Sequence, residues 1–287
     1  TLFHAPKGGI IAEQTISRIN KEHFLLMGAI GSEVKDYQWL EWHIGELNVT
    51  IENLTEEWGG LLLTGPEARN VLSQCTQEDL SNNAFSWLSC KTIKIDSADV
   101  FAMRVSYAGE LGWELHMPSW QVISIYESLF EMGSPLGLKD FGGQAFNSMR
   151  LEKMYRAYGA EFTEEISALE AGMERFLDLN RDFIGADNIR ERMSSGIKTK
   201  LAYLIFDDQV PAECFGNEAV FSDGELTGII TSGAYGYRVG HSIAFAYLKT
   251  EHCNDGVNLT VETSLGSRSC HVSMNASYDQ NNEKLCS

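Results

Sequence analysis

Carboxylates are the side chains of this sequence whose positions most directly suggest chemistry. Glu152 lies in a segment, Asp140–Tyr158, whose pattern predicts a helix, and the helical period places it on one face with Ala145, Ser148 and Met149. A carboxylate that faces small and apolar neighbours needs a partner, because burying an unpaired charge is costly. Glu152 is therefore a candidate for binding either a ligand or a cation.

A glycine-containing motif forms a second candidate for ligand binding. Residues 106–118 read SYAGELGWELHMP, with Tyr107 and Trp113 placed beside Gly109 and Gly112. Because glycine allows backbone angles and close approaches that other residues do not, the motif predicts a bend in a strand. The bend could be a plain bulge, or it could lie beside a flat ligand.

Several common kinds of site are absent from the sequence. It contains no GxGxxG after a strand, no GxxxxGK[ST], no GxSxG and no HExxH, and its seven histidines are scattered. The six cysteines form no CxxC and are predicted to be free thiols. We expect no metal site, so carboxylates and a bound organic cofactor are the candidates for any chemistry.

Charge and hydropathy limit the partners. The formal net charge is −18, from 40 acidic and 22 basic residues spread along the chain. A field of this sign disfavours binding to nucleic acid and to anionic membrane surfaces. No apolar run is long enough to span a bilayer. We therefore expect neither a nucleic-acid partner nor a membrane partner.

The order of predicted elements indicates an α+β fold. A hairpin is predicted over residues 8–30, turning at residues 20–22, and a helix over residues 34–47. The further predicted helices are Glu67–Cys75, Gln121–Met132, Asp140–Tyr158 and Phe183–Ser194. The predicted strands before residue 197 are Asn48–Asn53, Gly59–Thr64, Phe85–Ile95, Asp99–Tyr107 and Arg175–Leu179.

The last third of the sequence alternates strands with turns. Asp223-Gly224 is a hairpin signal there, and the segment is predicted to be a small all-β barrel or sandwich. We thus predict a region 1–196, made of a hairpin and helix (1–47) and an α+β core (48–196), followed by a β-barrel domain over 197–287.

Segments distributed over nearly the whole chain resemble one known family. They are KGGIIAEQTISRI (7–19), LLLTGPEARNVL (61–72), SYAGELGWELHMP (106–118), MRLEKMYRAYGAEF (149–162), ALEAGM (168–173), DFIGADNI (182–189) and GELTGIITSGAYGYRVGHSIAFAYL (224–248). In this order they resemble the folate-binding family of the glycine-cleavage T-protein, the aminomethyltransferases. Within that family the sequence is most similar to the C-terminal folate domain of dimethylglycine and sarcosine dehydrogenases.

The resemblance implies a function as well as an aminomethyltransferase-type fold. Such a domain binds tetrahydrofolate and accepts a one-carbon unit from an N-methyl amine, which yields 5,10-methylenetetrahydrofolate. FAD would belong to a separate N-terminal flavin domain, which is missing from this sequence together with the first part of the usual folate module. The resemblance thus implies either a fragment or a divergent chain that lost part of its first domain. The implied compartment is the mitochondrial matrix in a eukaryote and the cytoplasm in a bacterium.

Two other functions remain open at this point. One is a free aminomethyltransferase of the glycine cleavage system, which acts with a lipoyl carrier protein. The other is a non-catalytic regulatory relative, similar to the regulatory subunit of pyruvate dehydrogenase phosphatase.

The resemblance assigns roles to two carboxylates. Glu152 would grip the pterin ring, because a carboxylate can accept two parallel N–H donors from an amino-pyrimidinone edge; the alternative is an ion pair with Arg150 or Arg156. Glu13 stands where the family typically has Asp, near the reactive nitrogens of the folate, and is the candidate catalytic residue. Its alternative is a solvated position on the first hairpin.

The remaining expected site residues are aromatic or basic. Tyr107 would line the pterin slot, with a core position as the alternative. Tyr235 and Tyr237 lie on a loop that the family brings toward the cofactor, and Arg238 is the candidate for the folate glutamate tail.

Overall fold

Two compact units make up the chain in the computed structural model, which describes residues 1–211 and 214–287. The barrel unit consists of Thr1–Ile16, Leu26–Leu40 and Asn147–Tyr278, and the sheet unit consists of Ser17–Leu25, Glu41–Phe146 and Asp279–Ser287. The boundary predicted between residues 196 and 197 stays a prediction.

Strands and helices alternate in the first two thirds of the chain, and strands dominate the last third. The strands of the described residues are β1 (Leu2–His4), β2 (Ile10–Glu13), β3 (Thr15–Arg18), β4 (Phe24–Met27), β5 (Trp58–Thr64), β6 (Cys90–Ile95), β7 (Ala98–Met103), β8 (Gly112–Pro118), β9 (Thr199–Phe206), β10 (Ala219–Ser222), β11 (Glu225–Gly236), β12 (His241–Lys249), β13 (Asn258–Thr263) and β14 (Gly266–Ser273). Their α-helices are α1 (Glu33–His43), α2 (Ala68–Cys75), α3 (Val122–Gly133), α4 (Gly143–Glu152) and α5 (Ala186–Ser195). No helix among them is long and apolar enough to cross a membrane.

The last six strands close into a barrel. Their order around it is β10-β11-β12-β9-β14-β13, with antiparallel neighbours throughout. Alternate residues of β9 point inward, where Ala202, Leu204 and Phe206 join the barrel core. Asp223 and Gly224 have φ angles of 50° and 82° and form the tight turn between β10 and β11. The predicted C-terminal barrel and the α+β class are confirmed.

The outer face of the barrel supports the C-terminal half of α4. The alternate residues of β9 and β12 that point outward form a second apolar cluster with Leu151 of α4. They include Tyr203, Ile243 and Phe245. Each of these four side chains is almost fully buried. Burial of this kind stabilises by about 1.5–3 kcal/mol per large apolar side chain, so the helix end is firmly placed against the barrel.

The sheet unit is built on an antiparallel sheet of order β5-β8-β7-β6. Its apolar side packs with α2 and α3 around a core that contains the fully buried Trp113. The glycine motif forms the entry to β8: Gly109 has a φ of 74°, and a Cβ on Gly112 would lie 2.8 Å from the Leu63 carbonyl oxygen. The predicted bend is therefore confirmed as a turn that leads into a strand.

Two predicted strands are wrong. Residues 48–53 form no strand; nearly all of their side chains are exposed, and no neighbouring strand supplies hydrogen bonds to them among the described residues. Residues 175–179 also form no strand, and the 3-10 helix Glu174–Phe176 begins that segment instead. In both cases a strand-like stretch of sequence has no strand to pair with among the described residues.

The first hairpin differs in part from the prediction. β3 and β4 pair across the predicted turn, whereas β2 pairs with β1, which lies before it in the chain. The helix predicted over Asp140–Tyr158 is shorter and ends at Glu152. Met154 ends it by adopting a left-handed φ of 57°, an uncommon conformation for a residue with a side chain.

Candidate functional site

Glu152 is the last residue of α4 and has no exposed surface. The helix end is held by hydrogen bonds from α4 to the last residues of β11. Ser148 donates its hydroxyl to the Tyr235 carbonyl oxygen at 2.7 Å, and the Asn147 side chain donates to the Gly233 carbonyl oxygen at 3.3 Å. These bonds place Glu152 beside the turn that joins β11 to β12.

Arg238, on that turn, binds both carboxylate oxygens of Glu152. Its main-chain N–H donates to Oε1 at 2.8 Å, and its side-chain Nε–H donates to Oε2. Its Nη2 donates to the Met149 carbonyl oxygen at 3.0 Å. Glu152 is thus an ion-paired carboxylate in this arrangement, and its buried charge is stabilised because each of its oxygens accepts a hydrogen bond from Arg238.

The guanidinium of Arg238 also packs on an aromatic ring. Its Cζ lies 3.8 Å from the centroid of Tyr278, and the Tyr278 main-chain N–H donates to the Glu152 carbonyl oxygen at 3.0 Å. Gly236 makes room for the pair, because a Cβ there would lie 3.2 Å from Glu152 Oε1 and 2.6 Å from a methyl carbon of Val239. Sequence reasoning missed Tyr278, which no motif marks, and Gly236, whose position in TSGAYGY is its only signal.

Arg150 and Arg156, the ion-pair partners expected for Glu152, bind elsewhere. Arg150 pairs with the buried Glu161 at 2.9 Å, and Arg156 donates to the carbonyl oxygens of Ala171 and Met154 at 3.1 and 3.2 Å. The ion pair expected as the alternative for Glu152 therefore forms with Arg238, and Arg150 pairs with Glu161 instead.

Glu161 is the centre of a saturated polar network inside the barrel unit. Its Oε2 accepts from Arg150 at 2.9 Å and from the Ala157 N–H at 2.8 Å. Its Oε1 accepts from the Thr231 hydroxyl at 2.7 Å and from the Ser232 hydroxyl at 2.5 Å. Four donors fill the acceptor positions of this carboxylate, so the network is structural and joins the segment after α4 to β11.

Glu13 lies at the end of β2 and is partly buried. Desolvation raises the pKa of its carboxyl, and the charges of the chain's amino terminus and of Arg156 partly offset that rise. Among the described residues Glu13 makes no side-chain hydrogen bond or ion pair, so it does not belong to the Glu152–Arg238 cluster. A carboxyl with a raised pKa is suited to holding or releasing a proton closer to neutral pH.

The structure places Tyr237 on the same turn as Arg238, the partner of Glu152, whereas Tyr235, expected on a loop, is the second-last residue of β11. The rings of Tyr235 and Tyr237 lie 5.2 Å apart in an edge-to-face arrangement, and the Tyr237 side chain is exposed. Tyr107 belongs to the sheet unit, where its ring lies 5.4 Å from that of Phe146. The roles predicted for these residues, and for Arg238 toward a glutamate tail, stay predictions.

Metal chemistry has no support in the part of the chain that the structure describes. No three His, Cys, Asp or Glu side chains there are arranged to hold a metal ion. The barrel unit does contain a shallow cavity of about 440 Å³ beside the turn, lined by Val239, His241 and Ser277 among others.

Comparisons with known proteins agree on one family. Residues 1–181 match the family model described as "GCVT N-terminal domain", and residues 200–279 match "Glycine cleavage T-protein C-terminal barrel domain". The fold is similar to that of glycine cleavage system aminomethyltransferase T from Bartonella henselae, with a TM-score of 0.85 and 21% identity, over 97% of this chain and 75% of that one.

Curated relatives fall into two groups. Human mitochondrial dimethylglycine dehydrogenase is 39% identical over 262 residues, which are 90% of this chain and 30% of that protein. The aminomethyltransferase of Thermoanaerobacter pseudethanolicus is 29% identical over 256 residues, 88% of this chain and 68% of that protein. The chain therefore spans about a third or less of the dimethylglycine dehydrogenases that it matches.

Proposed function

Because the chain belongs to the glycine cleavage T-protein family of folate-dependent aminomethyltransferase-type domains, we propose that it is the tetrahydrofolate-binding part of a larger flavin dehydrogenase. In that protein it accepts a one-carbon unit from an N-methyl amine of the dimethylglycine or sarcosine type. The product is 5,10-methylenetetrahydrofolate. Higher identity to dimethylglycine dehydrogenase (39%) than to aminomethyltransferase (29%) supports this choice within the family.

The buried carboxylate of Glu152 is the observation that carries the proposal. Each of its oxygens accepts one N–H from a single neighbouring group, Arg238. An amino-pyrimidinone edge, the recognition edge of a pterin, offers two N–H donors in the same parallel manner. The donor and acceptor chemistry of the site therefore fits the ligand, although Arg238 occupies it in this arrangement.

The protein's own residues would then have separate tasks. Glu152 orients the pterin through its two oxygens, Tyr235 and Tyr237 provide aromatic walls, and Glu13 holds or moves a proton with its carboxyl of raised pKa. Bound tetrahydrofolate would supply two amine nitrogens, and the carbon of an iminium would become the bridge between them. The demethylated amine would leave with the two protons that those nitrogens lose. The flavin that forms the iminium would belong to another domain of the same parent.

The proposal also names a compartment and excludes two partner classes. A eukaryotic parent would work in the mitochondrial matrix, in line with the mitochondrial location that the human relative's name gives for that protein, and a bacterial parent would work in the cytoplasm. The net charge of −18 makes nucleic acid and anionic membrane surfaces poor partners.

A free aminomethyltransferase is the second candidate. The structural similarity to aminomethyltransferase T over 97% of this chain supports it. Transfer of an aminomethyl group from a lipoyl carrier protein to tetrahydrofolate by the isolated chain would favour this candidate. A regulatory relative without catalysis is the third, and the occupied state of Glu152 is the observation in its favour.

Calorimetric titration of the purified chain with tetrahydrofolate tests the proposal. We expect binding by the wild type and a loss of roughly 10- to 100-fold in affinity for Glu152→Gln, because a hydrogen bond to a charged group contributes about 1.5–3 kcal/mol. Glu174→Gln is the matched control, since Glu174 is a partly exposed acidic residue of the same unit, ion-paired with Lys200. Equal affinity of Glu152→Gln and wild type would refute the role of Glu152. If no protein that keeps Glu152 binds millimolar folate, the folate function is wrong.

A further inference from the structure

Arg238 closes access to Glu152. The carboxylate has no exposed surface, whereas the Arg238 side chain is 20% exposed and lies between it and solvent. Two N–H donors of Arg238, one on each oxygen, hold this arrangement. A ligand that needs both oxygens of Glu152 cannot bind while Arg238 remains there.

Arg238 presents to Glu152 the same kind of hydrogen-bond donors as the amino-pyrimidinone edge of a pterin. Its Nε–H belongs to a planar cation and its second donor is a neutral amide N–H, and together they satisfy the carboxylate as two parallel N–H groups of a pterin edge would. We propose that Arg238 is an internal substitute for the pterin edge, which occupies Glu152 until folate displaces it. This inference rests on the proposed function.

The turn that carries Arg238 has the features of a small movable element. It joins β11, which ends at Gly236, to β12, which begins at His241. Gly240 has a left-handed φ of 76°, and its N–H donates to the Gly236 carbonyl oxygen at 2.7 Å, so a glycine stands at each end of the turn. The turn can therefore open without breaking the strand pairing of the barrel, because its residues lie outside the strands.

Tyr278 supports the closed state through the guanidinium of Arg238. Its ring lies 3.8 Å from the Arg238 guanidinium carbon, a distance typical of a strong cation–π contact. Weakening this contact should favour opening, while the Arg238 side chain stays available to pair with Glu152 whenever the turn is closed. Tyr278 therefore offers a substitution that separates closure from the stability of the buried ion pair.

Competition between Arg238 and folate predicts how two substitutions change the affinity for tetrahydrofolate. The apparent dissociation constant equals the intrinsic one divided by the open fraction, so variants that raise the open fraction bind more tightly. For Tyr278→Leu and for Arg238→Gln we expect tetrahydrofolate affinity to rise about 10-fold over wild type. Arg238→Gln leaves Glu152 with a weaker partner and could unfold, and Tyr278→Leu keeps the test possible in that case.

Phe176→Leu is the matched control. Arg175 lies 4.6 Å from the Phe176 ring, so this substitution removes the same type of contact from an exposed position of the same unit. We expect it to leave folate affinity unchanged. A second readout is the NMR signal of Arg238 Nε–H, which should exchange slowly with water in the free protein and faster once tetrahydrofolate saturates it.

The possible results separate the two proposals. Equal affinity of wild type, Arg238→Gln and Tyr278→Leu would overturn closure and leave the folate function standing. Weaker binding by Arg238→Gln with unchanged binding by Tyr278→Leu would also overturn closure, and it would assign Arg238 to the glutamate tail. Absence of binding by all three proteins would overturn the folate function and closure together.

Discussion

Replacing Glu161 by glutamine tests the importance of the buried network beside α4. Glutamine has nearly the same shape as glutamate, but one of its two terminal atoms is a donor and it carries no charge. Four donors converge on the carboxylate, and the Arg150 side chain among them is only 4% exposed. In Glu161→Gln the terminal NH2 group can no longer accept the two hydrogen bonds on its side, and the buried cation loses its counter-charge.

The size of the effect follows from burial. Removing one partner of a buried ion pair costs about 3–5 kcal/mol, because the other charge stays buried without compensation. A domain's total free energy of unfolding is about 5–15 kcal/mol, so this loss is a large share of it. With a urea slope of about 3 kcal/mol per M, the unfolding midpoint should fall by about 1–2 M.

A second ion pair in the same unit provides the control. Lys200 and Glu174 are also 2.9 Å apart, but their side chains are 33% and 43% exposed. Glu174→Gln should cost no more than about 1 kcal/mol, since exposed pairs contribute little. Urea unfolding followed by circular dichroism measures both variants. If Glu161→Gln loses no more stability than Glu174→Gln, the reasoning from burial is wrong.

Two further predictions concern titratable groups. Burial raises the pKa of Glu13, so the protonated form contributes stability that is fully present below the unfolded pKa of about 4.3 and is lost as pH rises through the folded pKa. Glu13→Gln should therefore become more stable relative to wild type as the pH rises from 4 to 7. Urea midpoints of the two proteins that run parallel across that range would contradict this. Burial also raises the pKa of the Cys214 and Cys270 thiols to about 12, so iodoacetamide at pH 8 should modify neither in the native protein, while the half-buried Cys90 and Cys286 react first. Mass spectrometry of peptides, with a urea-unfolded sample as the positive control, measures the labelling, and early modification of Cys270 would be the contrary result.

Sequence patterns predicted the barrel because its signals are local. The apolar run along β9 and the Asp223-Gly224 turn are each recognised from neighbours in the chain. Residues 48–53 alternate between polar and apolar types, but a strand needs a partner strand, and that requirement lies outside any short window. The strand prediction for this segment therefore failed because no partner strand is available to it, and not because its residue types are unsuited to a strand.

The environment of Glu152 shows the same limit for the site. Its burial on a helix face was predictable from period and composition, and so was its need for a partner. Arg150 is two positions away on the helix and points to another side, whereas the actual partner, Arg238, is 86 residues away in sequence. Spacing within a helix cannot identify such a partner, because the barrel that brings it there is formed by a later part of the chain.

The edge strand β6 of the four-stranded sheet carries residues that protect the protein from self-association. A closed barrel offers no unpaired strand, but β6 has a neighbouring strand on only one side within its sheet. Its sequence, CKTIKI, places Lys91 and Lys94 on that outer strand. Lysines on an edge strand repel and hydrate an approaching strand, so they hinder the edge-to-edge pairing that leads to aggregates. Replacing these two lysines by threonine would leave the fold unchanged and remove a safeguard against aggregation at high concentration.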